Sequence, residues 1–121
     1  MPQLSQWFIK TAIVYLVIGM LMGIGMAMSQ DHRLVGAHAH LNLLGWASSA
    51  LFGFYYNANP HKAAWTLAKV QFWISTAGIV LMVPALAALL LGYPQFEPVV
   101  AIASLLALLG ALMFLVNVFK R

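Results

Sequence analysis

Cysteine is absent from this 121-residue chain, and charge is nearly so. Without thiols there can be no disulfide, no thiolate metal site and no iron–sulfur cluster. Lys and Arg number six and Asp and Glu two, 7% of the residues. A soluble domain carries about a quarter. So sparse a set of charges leaves no face to present to water. What is there instead is apolar: 64% of the residues are hydrophobic. The charged positions are Lys10, Asp31, Arg33, Lys62, Lys69, Glu97, Lys120 and Arg121. They delimit four apolar segments, 7–29, 34–57, 65–91 and 97–119. Each can supply the ~20 residues that cross a hydrocarbon core. The expectation is one domain, residues 1–121, built as an all-α, integral-membrane four-helix unit.

A net charge of +4 would suggest nucleic acid in a soluble chain. The positions point to a lipid bilayer instead and to no nucleic acid. If the helices alternate, Lys10, Lys62, Lys69, Lys120 and Arg121 share one side, while Arg33 lies opposite with Asp31 and Glu97. That bias predicts a multi-pass protein of the cell inner membrane with both termini cytoplasmic. The first segment is longer than a signal-peptide core and no clear A-x-A site follows it, so it is expected to remain as a helix.

Within the segments, Gly19 and Gly23 have the spacing that lets helix backbones approach. Met20, Met22, Met26 and Met28 crowd the end of the first segment. Tyr55, Tyr56 and Trp65 suit an interfacial belt, 57–60 (Asn-Ala-Asn-Pro) reads as a turn, and Pro84 is expected to kink the third helix. Ala103, Ala107 and Ala111 form a packing stripe on the fourth.

The chemistry is concentrated at His38 and His40. Residues 34–60 hold no Asp, Glu, Lys or Arg, so this pair lies in a membrane helix. Ionisable groups there are costly and mark cofactor, ion or proton sites; imidazole is the commonest metal ligand. On a regular helix, residues two apart are separated by about 200°. The two rings therefore point to nearly opposite sides and cannot easily chelate one ion. As ligands they would serve two centres, or one completed by a second chain. The His38 face continues through Asn42, Gly45, Ser49 and Gly53, small or polar residues that leave room for something flat and bulky. The His40 face, Leu44, Ala47 and Leu51, is more apolar, and Trp46 and Phe52 flank it. Arg33 and His32, one to two turns outward, could pair with haem propionates. The plainer readings are that each histidine hydrogen-bonds a neighbouring helix, that the methionines are packing material, and that Arg33 beside Asp31 is an interfacial anchor.

The run 37–46 (Ala-His-Ala-His-Leu-Asn-Leu-Leu-Gly-Trp), followed by Phe52, Gly53, Phe54, Tyr55, Tyr56 and Pro60, resembles subunit I of the haem-copper oxidase and nitric oxide reductase superfamily. The match covers about 25 residues and is closest to short family members with an H-x-H-L-x-x-x-G-W pattern. Subunit I there has twelve helices in three four-helix arcs, with ligand histidines on the second helix of each. The resemblance implies that this chain is one arc standing alone and that a homotrimer rebuilds the twelve-helix ring. It implies haem b held between protomers, His38 of one facing His40 of the next, for electron transfer with a respiratory donor or for binding haem or a diatomic gas. No catalytic residue is assigned. The copper-site histidines and tyrosine of the family are missing, as are bilayer-embedded acids, so the chain is not a complete oxidase.

Three other functions compete. One is copper(I) handling, with Met22 and Met26 beside His38 and His40. Another is a structural subunit of a respiratory complex. The last is a proton channel, which the apolar outer halves of the third and fourth segments disfavour.

Overall fold

The computed structural model describes residues 1–121 and is all-helical. Helix α1 spans Gln3–Ser29. Helix α2 runs over 35–58 in three contiguous pieces: α-helical Val35–His40, π-helical Leu41–Ala47 and α-helical Ser48–Ala58. A single turn, α3, covers Pro60–Ala63. Helix α4 is Thr66–Leu90, and α5, Glu97–Phe119, follows a 3₁₀ turn at Pro94–Phe96. Three helices are long and apolar enough to cross a membrane: Gln3–Ser29, Thr66–Leu90 and Pro94–Phe119.

The long helices match the four expected segments to within a few residues, with α1 starting earlier. Its first turn is not a polar overhang: Leu4, Ser5 and Phe8 are buried against the bundle. Pro84 leaves α4 one continuous helix. Gln30, at positive φ, ends α1, and Gly92, at φ 103°, follows α4 in a conformation that favours glycine.

Two antiparallel hairpins make up the bundle. In the first, α1 and α2 meet along a ladder of small residues. A Cβ on Gly53 would lie 2.7 Å from Ile9, one on Gly45 3.1 Å from Tyr15, one on Gly19 2.5 Å from Asn42 Oδ1, and one on Gly23 3.3 Å from His38. In the second hairpin, a Cβ on Gly78 would lie 2.9 Å from the Ala107 backbone nitrogen, so the two backbones are nearly in contact. The buried residues of α5 are Ala103, Gly110 and Asn117, a strict seven-residue seam. Of the expected alanine stripe only Ala103 lies fully in it, while Ala107 and Ala111 line a cleft of about 60 Å³ with Leu44, Ser48, Phe52, Ser75 and Ile79. Leu105, Leu108, Leu112 and Leu115 of α5 are exposed leucines suited to lipid.

The main core sits at the lysine-rich end. Leu4, Phe8, Tyr56, Ala63, Ala68 and Phe72 form it, with Trp7, Phe52, Tyr55, Trp65 and Phe114 packed around. Phe8 stacks on Tyr56 (5.8 Å) and meets Phe72 edge-on (5.0 Å). Through this core runs a polar network. Tyr56 Oη donates to Gln71 Oε1 (2.7 Å) and accepts from Asn117 Nδ2 (2.9 Å). Lys62, one of the charges expected on the cytoplasmic side, is only 7% exposed. Its Nζ donates to Tyr55 Oη (2.9 Å) and to the carbonyls of Asn117 (2.9 Å) and Val118 (3.1 Å). A cation at a helix C-terminus satisfies orphan carbonyls and opposes the negative end of the dipole. Turn α3 brings Lys62 to that position.

Candidate functional site

His38 and His40 close the first α-helical piece of α2, and the π-helical stretch begins at the next residue. A π-helical turn widens the backbone and occurs disproportionately at functional sites. One of its carbonyls, Leu43 O, accepts from Ser48 Oγ five residues on (2.7 Å).

The two rings do face different ways. His40 is exposed, and its Nδ1 lies 2.8 Å from Gly36 O. A carbonyl can only accept, so Nδ1 carries the proton and Nε2 carries the free lone pair of the neutral ring. This is the second-sphere arrangement that orients metal-bound histidines. Beside the ring is a groove of about 230 Å³, lined by Ala39, His40, Leu43 and Leu44 and open on the side away from the chain.

His38 is turned inward. Its Nε2 lies 3.1 Å from Asn42 Nδ2, and its Nδ1 is buried with no partner. If the Asn42 amide donates, the unpaired Nδ1 bears a proton in the interior, which costs free energy. The Gly19 and Gly23 spacing has a specific use here: these glycines of α1 make the room that Asn42 and His38 fill.

That packing corrects one expectation. The face through His38, Asn42, Gly45, Ser49 and Gly53 does not leave a cleft for a flat ligand, because α1 occupies it. Gly45 and Ser49 are buried, and Trp46 packs beside the Tyr15, Leu41 and Ile79 cluster. These residues act in helix pairing within the single chain. Of this pair, only His40 presents an open nitrogen.

The outer connection is likewise engaged. Arg33 forms a bidentate pair with Asp31 (Nη2–Oδ2 2.7 Å, Nε–Oδ1 3.0 Å), both exposed. The Arg33 guanidinium holds the Asp31 carboxyl down at about 2. His32 is exposed beside them.

The methionines do not gather. Met22 and Met26 line a cleft of about 230 Å³ with Gly25, Ser29, Asp31, Leu34 and Leu91, but no histidine is among its walls. Met20 and Met28 are exposed. Nowhere do three or more His, Asp or Glu side chains converge as a metal cluster.

Residue-by-residue reading of the sequence missed the Lys62, Tyr56, Gln71 and Asn117 network. A signal existed: Asn117 and Gln71 are polar residues in otherwise apolar helices, and each must find a partner there.

Comparison with protein-family models, with curated proteins and with solved structures finds no match to this chain.

Proposed function

We propose that this is a membrane protein that binds haem b at its surface through His40, in an assembly of identical copies. The single observation that carries this reading is the His40 ring: proton fixed on Nδ1 by the Gly36 carbonyl, Nε2 free beside an apolar groove. A groove open on one side needs a second wall. A neighbouring copy in a cyclic trimer would supply it, consistent with the resemblance of residues 37–46 to subunit I of the haem-copper oxidases. His32 and Arg33, outward of the groove, would meet propionates, Arg33 by exchanging its Asp31 partner.

Haem b supplies an iron that can carry an electron or take a diatomic gas, according to whether its sixth position is filled. His38 decides between these. To be the second ligand it must leave Asn42 and the Gly23 seam. Held where it is, His38 would not reach a haem in the groove, so His40 would be the residue holding the group, and gas binding would be favoured over electron transfer to a respiratory partner.

Haem titration of the purified protein tests this. Wild type and His38→Ala should develop a Soret band and His40→Ala should not; equal spectra from all three would reject His40 as the ligand.

A copper reading keeps one favourable observation, that Met22 and Met26 share a cleft with Asp31. Met22→Leu/Met26→Leu should abolish copper retention under that reading and leave a haem spectrum intact under ours.

A further inference from the structure

Between α1 and α4, at the lysine-rich end, lies an open groove of about 420 Å³ lined by Trp7, Lys10, Thr11, Phe72 and Trp73. Across it the helices are joined by aromatic rings: Trp7 lies 5.5 Å from Phe72 and 6.2 Å from Trp73. On the other side of Trp7 is a second cleft, about 210 Å³, that includes Lys69. Two lysines therefore stand astride one indole.

Neither Lys10 nor Lys69 has a carboxylate to pair with. The chain has two acids; Asp31 is held by Arg33, and Asp31 and Glu97 both lie at the far end of the bundle. Depth favours a definite occupant. Helix α1 has 27 residues, about 40 Å at 1.5 Å per residue, against a hydrocarbon core of about 30 Å. With Ser29 at one boundary, Lys10 falls at the other, from which its long side chain reaches outward to the lipid phosphates. Lys69, in the first turn of α4, lies at the same end.

We infer that this groove binds an anionic phospholipid. Its phosphate sits at Lys10 and an acyl chain lies along Phe72 and Trp73, while Lys69, across Trp7 in the adjoining cleft, adds its attraction for the same headgroup. Basic clefts between membrane helices take such headgroups, and the indoles suit the interface. The site depends on the membrane assignment and is independent of haem.

The groove carries its own reporters. In a Trp46→Phe/Trp65→Phe background, Trp7 and Trp73 are the remaining indoles. The full-length protein is reconstituted into phosphatidylcholine vesicles doped with a small fraction of brominated phosphatidylglycerol or of brominated phosphatidylcholine. The brominated glycerol lipid should quench more strongly at equal fraction. Its advantage should fall about fivefold for each lysine replaced in Lys10→Gln and Lys69→Gln, and survive in Lys10→Arg/Lys69→Arg. Equal quenching by the two lipids overturns the site, and so does a preference that persists in Lys10→Gln/Lys69→Gln.

Discussion

The two ends of the bundle are held together by different means. At the lysine-rich end large aromatic rings interlock around a hydrogen-bonded network of Tyr56, Gln71 and Asn117, capped by Lys62. At the histidine end Gly19 and Gly23 meet Asn42 and His38, and a smaller cluster of Tyr15, Leu41 and Ile79 has Met22, Leu44, Trp46 and Val83 packed around it. Burying rings stabilises the first end strongly, although its network is only partly satisfied: Gln71 Nε2, Asn117 Oδ1 and the nearby Ser5 Oγ have no partner. The second end keeps an unpaired His38 Nδ1, a π-helical turn and an exposed His40. Stability is concentrated at one end, and chemical potential at the other.

Breaking the first end should cost most. Tyr56→Ala removes a fully buried ring and both its hydrogen bonds. A loss of roughly 3–5 kcal/mol is expected, read by denaturant unfolding followed by circular dichroism in detergent. Tyr56→Phe keeps the ring but strands Gln71 and Asn117, and should lose about 1–3 kcal/mol. If it unfolds like wild type, the network contributes nothing.

At the histidine end, Gly19→Leu forces a side chain into the space of Asn42. Overpacking should cost about 1–3 kcal/mol and free His38 from Asn42. If the protein binds haem as proposed, the haem-loaded variant should show six-coordinate iron and the wild type an open position. By contrast, His40→Ala should leave unfolding unchanged, since His40 is exposed and its ring contacts only its own helix.

A slight effect is expected at Asp31. Its carboxyl, depressed to about 2 in the folded chain from an ordinary 3.8, contributes fully above that ordinary value. The contribution is lost as pH falls through about 2. The pair is exposed, so Asp31→Asn should flatten the acid limb of a stability–pH curve only slightly.

What could be read from the amino-acid order follows the range of the interactions. Helix positions were legible because eight charges punctuate the apolar runs. The divergence of His38 and His40 follows from helical rotation alone, and the structure keeps it. The burial of Lys62 was not legible, because it depends on α3 turning that residue toward the end of α5, more than fifty positions away. The small face of α2 was misread for the same reason. Small residues can accommodate a ligand or another helix, and only the pairing with α1 decides which. The π-helical stretch has no motif of its own; Ser48 reaching back to Leu43 marks it only once the backbone is known.

The central claim is that His40 holds iron while His38 stays bound to Asn42. The carbon monoxide difference spectrum of the haem-loaded, dithionite-reduced protein tests it most directly. A Soret band that shifts on adding carbon monoxide, and that vanishes in His40→Ala, is the predicted result. A reduced spectrum unmoved by the gas, or one that depends on His38 rather than His40, would contradict it.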